Sequence, residues 1–146
     1  MLFKVKSNAW FFKNIGIIKA ERYTNDYSYL DTAKDFLNKE GLLAIYPEAR
    51  LPRSDEKEGI PFTHGATYLS LDTNSPLLPI YLKESKNFKK RTRLVIGLPF
   101  FAKDYYDDNL SREENVCHIT EILRERVFRL REVIDGENEK TKTKKA

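Results

Sequence analysis

A carboxylate and a guanidinium stand two residues apart in the segment Tyr46-Pro47-Glu48-Ala49-Arg50, at the end of a continuous apolar run. The guanidinium of Arg50 can hold a phosphate group through two parallel hydrogen bonds. The carboxylate of Glu48 can accept a hydrogen bond from a substrate hydroxyl, or it can orient the arginine. The pentapeptide alone leaves two interpretations open, a site for a phosphate ester and a weak salt bridge in a surface loop.

The sequence around this pentapeptide favours the phosphate-ester interpretation, because four short blocks occur in a fixed order. The blocks are residues 15–22 (IGIIKAER), 46–50 (YPEAR), 61–66 (PFTHGA) and 76–81 (PLLPIY). This set resembles the glycerolipid acyltransferase family, which includes the lysophosphatidic acid acyltransferases. That family has a Gly-x-Ile-x-x-x-x-Arg block, then Phe-Pro-Glu-Gly, then Phe-Lys-x-Gly-Ala, then an apolar strand with a proline. The resemblance covers residues 10–97, and its specificity comes from the order of the blocks.

The resemblance implies substrate-binding roles for four residues. Arg22 and Glu48 match the family residues that bind the glycerol phosphate of the acceptor. Arg50 matches the arginine of those relatives that read Pro-Glu-Gly-Arg, and Pro79 matches the strand proline near the acyl-binding side. Ala49 departs from the family, which has glycine there. A positive backbone angle at this position would make alanine costly.

The catalytic pair of the family is missing from the sequence. The family's histidine is followed five positions later by an aspartate, and it acts as general base on the acceptor hydroxyl while the aspartate orients it. Here Leu69 stands five residues after His64, and Leu123 stands five residues after His118. In the family this pair lies upstream of the arginine block. We therefore expect a truncated form with no catalytic residue of its own.

The other nucleophile and bases have less specific interpretations. His64 stands at a predicted helix start beside the loop, and we expect it to be solvated or to cap the helix, with a catalytic role as the alternative. We expect His118, on the last predicted helix, to be exposed or structural. Cys117 has no base near it in the sequence, so we expect it not to act as a nucleophile.

The resemblance implies an acyltransferase of phospholipid biosynthesis. Such an enzyme transfers an acyl chain from a thioester, either acyl-CoA or an acyl-carrier protein, to a lysophospholipid or glycerol phosphate, and it uses no cofactor or metal. We expect a cytoplasmic protein that lies peripherally on the inner face of the membrane. A different class of protein that fits the same residues is a non-catalytic remnant that binds an anionic lipid or phosphate ester.

Length and composition bound these interpretations. The chain has 146 residues, of which 40% are hydrophobic and 33% are charged, as is usual for one soluble globular domain. The net charge of +4 favours anionic partners. A nucleic-acid module is disfavoured, because this charge is modest and no recognised binding motif is present. The single cysteine excludes an internal disulfide, and no apolar run approaches the roughly 18–20 residues of a membrane span.

Strands and helices alternate along the sequence, which predicts a single α/β domain with a largely parallel, mixed sheet flanked by helices. Apolar runs predict strands at 15–18, 42–46, 77–82 and 93–97. Helical periodicity predicts helices from 26 or 28 to 40 and from 111 onward, and an aromatic-rich and a small-residue segment indicate short helices at 8–14 and 65–71. The polar stretch 47–61 is predicted to be a functional loop at the carboxyl end of a strand. Pro79 within its run implies a sheet edge, a bulge or a special role.

The last helix has the clearest pattern in the sequence. Ser111 and Glu114 form a predicted capping box at its start, and apolar residues recur every three or four positions. These residues are Val116, Ile119, Leu123, Val127, Leu130 and Ile134. We expect residues 1–135 to form the C-terminal part of an acyltransferase-like domain, with the fold incomplete at its N-terminus. Residues 136–146 are too polar to bury surface and are predicted to be a basic, disordered tail.

Overall fold

A computed structural model of the protein describes residues 16–18, 28–50, 60–83 and 92–143. Arg22 and the predicted helix at 8–14 lie outside these ranges. The chain divides into two compact parts, Met1–Ala44 and Ile45–Ala146. The described residues form a mixed α/β structure. No helix within them has the length and the apolar character needed to cross a membrane.

In the first part, helix α1 spans Ser28–Asn38, as its periodicity predicted, and buries Ala33. Two hydrogen bonds close its end, from the N–H of Glu40 to the Leu37 carbonyl and from the N–H of Gly41 to the Phe36 carbonyl. This is a Schellman motif, and Glu40 supplies its left-handed residue with φ of 61°. Gly41 is required for space, because a Cβ there would lie 2.6 Å from the Phe36 carbonyl oxygen.

The predicted strand at 42–46 is wrong for the described structure, since no residue of this run belongs to a strand. Leu42 and Tyr46 are 88% and 80% exposed. A strand persists only where its N–H and C=O groups are paired, and the described ranges give this run no neighbouring strand. Residues 16–18, the described portion of the first predicted strand, also form no strand.

The core of the second part lies between helix α2, which spans Gly65–Thr73, and helix α3, which spans Arg112–Thr143. A short 3-10 helix at Ala102–Tyr105 packs against both helices. The buried cluster consists of Phe62, Ala66, Phe100, Ala102, Ile119 and Leu123. Helix α2 includes the predicted helix at 65–71 and two further residues. Its first turn contributes Ala66 to the core, directly after the loop.

Strands β1 (Ile80–Lys83) and β2 (Arg93–Ile96) form a two-stranded antiparallel sheet. The parallel pairing expected from the alternating elements is thus not found in the described residues. Strand β1 begins directly after Pro79, which has no N–H to donate, and the Pro79 carbonyl accepts the N–H of Gly97 at 2.8 Å. The proline therefore limits the length of the strand that its apolar run predicted.

One face of this sheet is apolar and open to solvent. Ile80 pairs with Ile96 and Leu82 pairs with Leu94, and all four side chains are between 42% and 59% exposed. Tyr81 and Val95 alternate with them and are half-buried. Helix α3 packs on both strands. The described residues therefore cover one side of the sheet, and an extended apolar surface remains on the other.

The predicted capping box of α3 is confirmed. The Ser111 N–H donates to a Glu114 carboxylate oxygen at 2.8 Å, and the Glu114 N–H donates to the Ser111 hydroxyl at 3.3 Å. The helix continues through Gly136 to Thr143, beyond the predicted boundary at 135. A glycine inside a helix costs only about 1 kcal/mol, and the glutamate and lysine residues that follow are good helix formers. Helical structure is therefore described past residue 135, while the division of the chain into a domain and a tail stays a prediction.

A buried amide fixes the loop that leads into α3. Asn115 is 0% exposed, and its Nδ2 donates to the carbonyls of Asp107, Leu110 and Ser111. Its Oδ1 accepts the N–H of Asp107 at 2.7 Å. One side chain therefore contacts four backbone groups of the loop, with three carbonyls sharing the two hydrogens of Nδ2.

We predict that Asn115→Ala lowers the free energy of unfolding by about 3 kcal/mol, because it removes the hydrogen bonds that a fully buried amide makes to the loop and leaves unfilled space in its place. Urea denaturation followed by circular dichroism measures the change. Glu132→Ala, on an exposed position of the same helix, is the control and should change stability by less than about 0.5 kcal/mol. Equal effects of the two substitutions would contradict the role assigned to Asn115.

The capping box also predicts a pH dependence. Two hydrogen bonds lower the pKa of Glu114 from its usual 4.5, mainly the one to the Ser111 side chain and secondly the one to the Ser111 backbone. The charged carboxylate therefore stabilises the fold at neutral pH, and this stabilisation is lost as the pH falls through the lowered pKa. We expect Glu114→Ala to lower the Tm at about pH 7, and we expect this effect to shrink as the pH falls through the lowered pKa of Glu114. Glu113→Ala, the neighbouring acid of the first turn, should show a smaller difference.

Candidate functional site

The segment after Tyr46 forms a tight turn around Ala49. The Ala49 N–H donates to the Tyr46 carbonyl at 3.2 Å, and the Arg50 N–H donates to the Glu48 carbonyl at 2.7 Å. Ala49 has φ of 54°, a left-handed conformation that glycine adopts without strain and alanine does not. The position where the resembling family has glycine therefore does require a positive backbone angle, as the sequence comparison suggested.

Thr63 connects this turn to the core. Its N–H donates to the Pro47 carbonyl at 2.8 Å, and its hydroxyl donates to the same oxygen at 2.9 Å. Phe62, the preceding residue, is buried in the core cluster, and α2 begins two residues after Thr63. The turn is thus held by two hydrogen bonds from a segment that core packing fixes.

The turn brings two of the four predicted site residues together. Glu48 is half-buried and Arg50 is exposed, and they flank Ala49. Such an arrangement suits a carboxylate and a guanidinium that bind the hydroxyl and the phosphate of one small molecule. The described hydrogen bonds of the turn lead to Thr63 and not to Pro79, which lies at the start of β1. Arg22 is outside the described residues, so its position relative to the turn stays a prediction.

His64 belongs to a polar network between α2 and α3. Its Nδ1 lies 3.2 Å from the Thr120 hydroxyl, which also contacts the Thr67 hydroxyl at 2.8 Å and donates to the Val116 carbonyl at 2.7 Å. Its Nε2 lies 3.9 Å from the thiol sulfur of Cys117. His64 stands at the N-cap of α2, but its side chain makes no capping hydrogen bond. Of the two expected roles, capping is therefore not found, whereas the side chain is exposed to solvent as the other expected.

Sequence reasoning missed the approach of Cys117 to His64, because 53 residues separate them. Two weak signals pointed towards it. His64 follows the buried Phe62, and Cys117 lies between the apolar positions Val116 and Ile119 of the last helix. Periodicity places each residue on its own helix, but it does not say which helices meet. His118 is exposed on α3, as expected.

A separate open cavity of about 410 Å³ has a mixed charged lining. Its walls are formed by Leu71, Asp72, Lys103, Tyr106, Asp108 and Arg112. Asp72 and Arg112 form an ion pair across it. None of the predicted site residues lines this cavity. Its lining has two acidic residues, Asp72 and Asp108, and two basic residues, Lys103 and Arg112, so its charge does not favour an anion. It is therefore not assigned to the candidate site.

We predict that Ala49→Gly raises the free energy of unfolding by about 1 kcal/mol, because glycine removes the strain of the left-handed conformation. Ala44→Gly is the matched control. Ala44 is exposed and lacks a positive φ, so glycine there should be neutral or destabilising. Chemical denaturation of both variants gives the comparison, and stabilisation by neither would contradict the strain assigned to Ala49.

Comparison with known proteins gives one family. The model described as Acyltransferase matches residues 1–83, which is more than half of the 146-residue chain and includes the turn, Thr63, His64 and Pro79. No curated protein and no solved structure gives a significant match.

Proposed function

Since the chain belongs to the Acyltransferase family, we propose that it serves phospholipid biosynthesis. In this proposal an acyl chain passes from a thioester donor, acyl-CoA or an acyl-carrier protein, to a lysophospholipid or glycerol phosphate. The chain binds the acceptor. The proposal extends to the fold, for which the resemblance to the glycerolipid family implies a largely parallel sheet.

The observation that carries this proposal is the held turn at residues 46–50. Thr63 fixes the Pro47 carbonyl, and Ala49 keeps a strained backbone angle, so Glu48 and Arg50 leave the backbone from a defined geometry. The guanidinium of Arg50 binds the phosphate of the acceptor, and the carboxylate of Glu48 accepts a hydrogen bond from its hydroxyl. The resemblance also implies acceptor binding by Arg22 and an acyl-side position for Pro79, and both stay predictions.

The reaction that this acceptor undergoes is an acyl transfer. The acceptor hydroxyl attacks the thioester carbonyl, its proton passes to a general base, and the donor thiol leaves. The resembling family places this base in a histidine followed five positions later by an aspartate, a pair that the 146 residues do not contain. The proposal therefore gives this chain the acceptor-binding part of the reaction and assigns the base to residues outside it.

The proposed location is the inner, cytoplasmic face of the membrane. The net charge of +4 attracts the chain to anionic lipid, and the exposed apolar face of the β1–β2 sheet offers surface that lipid can cover. A lysophospholipid acceptor is itself a membrane component. A peripheral position therefore gives the turn direct access to its substrate.

The acceptor site predicts that Arg50→Ala and Glu48→Ala each weaken binding of lysophosphatidic acid by about tenfold or more, because each removes a hydrogen bond to a charged group. Titration of wild type and variants with vesicles that contain lysophosphatidic acid gives the dissociation constants. Arg129→Ala, an exposed arginine on α3, is the control for the change in net charge. If all three variants bind like the wild type, the proposed acceptor site is wrong.

A turnover assay tests whether the chain lacks a base of its own, which both this function and the alternative, a non-catalytic protein that binds the same phosphate ester, require. We expect the 146-residue chain alone to transfer no acyl group to lysophosphatidic acid, because loss of a general base typically costs two to four orders of magnitude in rate, about 10²–10⁴. Turnover that Glu48→Ala abolishes would show instead that the chain is catalytic by itself. It would also exclude the binding-only alternative.

A further inference from the structure

Cys117 and His64 form a nucleophile and a base that acceptor binding does not use. The thiol sulfur lies 3.9 Å from Nε2 of the imidazole, and both residues are exposed to solvent. This distance is within the range of a hydrogen bond that involves sulfur. A nucleophile beside a base, with the base oriented by a third group, is the arrangement that activates a thiol for covalent chemistry.

The third group is the hydroxyl of Thr120. The hydrogen bonds of this hydroxyl determine which ring nitrogen of His64 carries the hydrogen. A hydroxyl has one hydrogen, and that of Thr120 is donated to the Val116 carbonyl, which can only accept. Thr67 and His64 must therefore both donate to the Thr120 oxygen, at 2.8 Å and 3.2 Å. In the neutral imidazole the hydrogen then lies on Nδ1.

This tautomer leaves the lone pair of Nε2 directed towards Cys117, as a general base requires. The orienting hydroxyl is rigid, because Thr67 and Thr120 are 0% and 1% exposed. Geometry and tautomer thus agree.

We propose that Cys117, with His64 as its base and Thr120 as a positioning residue, is a covalent site that accepts an acyl group from an acyl thioester. This inference rests on the proposed function for its donor, since the family reaction uses a thioester. The thiol of Cys117 transfers its proton to Nε2 of His64, and the sulfur attacks the thioester carbonyl. The donor sulfur leaves and takes the proton from His64. One thioester is exchanged for another, with no oxidant or reductant.

The test is self-acylation of the full chain by palmitoyl-CoA without any acceptor, followed by intact-mass spectrometry. We expect one palmitoyl adduct per chain, which neutral hydroxylamine removes, and no adduct on Cys117→Ser. His64→Gln should slow the reaction by at least about tenfold. His118→Gln is the matched control, because His118 is exposed on the turn of α3 next to Cys117, and it should react at the wild-type rate.

The positioning role of Thr120 has its own readout. Thr120→Ser keeps the hydroxyl and should retain the rate of acylation, whereas Thr120→Val removes the oxygen that orients His64 and should slow the reaction. Circular dichroism checks that each variant is folded. A comparison that needs no variant is the wild type in denaturing urea, where acylation should be at least about tenfold slower because the base is no longer beside the thiol.

Three results would overturn the proposal. The first is that palmitoyl-CoA gives no adduct although iodoacetamide still alkylates Cys117. The second is that the wild type and folded His64→Gln are acylated at equal rates. The third is that the wild type is acylated at equal rates in buffer and in urea. Because the assay contains no lysophospholipid, a failure of acceptor binding at Glu48 and Arg50 leaves its outcome unchanged. Failure of the covalent site likewise leaves the vesicle titration unchanged, so the two proposals are tested separately.

Discussion

The buried contact between α2 and α3 is the interaction on which the described second part of the chain depends. Thr67 and Thr120 share a hydrogen bond in its interior, beside the apolar contacts of Phe62, Ala66 and Ile119. A hydroxyl pair is costly to bury unless both members are satisfied, and here the Val116 carbonyl completes the pair. This polar contact fixes the register of the two helices, since a shift along either axis would separate the hydroxyls.

Both functional features follow from that register. Phe62 anchors the segment that precedes α2, so Thr63 meets the Pro47 carbonyl and holds the turn with Glu48 and Arg50. The same helix start carries His64 to Cys117 on α3. The backbone angle of Ala49 is a strain of about 1 kcal/mol or more that this frame sustains. Local strain at a site is tolerated where the surrounding packing determines the conformation.

Much of the local structure could be predicted from the sequence, because it depends on neighbouring residues. Among the described residues, periodicity located α1 and α3, small residues indicated α2, and the Ser111–Glu114 spacing located the start of α3. The run at 42–46 was misread, because apolar residues permit a buried strand but do not supply its partner. The pairing of β1 with β2 and the approach of Cys117 to His64 depend on which elements meet, and no local pattern encodes that.

The close approach of α3 to the end of β2 has a consequence for motion. A Cβ placed on Gly97 would lie 3.3 Å from the Leu130 side chain, so the helix and the sheet fit there without spare space. A ladder of two four-residue strands is marginal in isolation and relies on this cover. The strands and the middle of α3 should therefore open to solvent together, as one cooperative unit of local unfolding. The amide hydrogens of β1 and β2 would then exchange with solvent at a common rate, which depends on how often the middle of α3 separates from the sheet. The contact between α2 and α3 would stay closed.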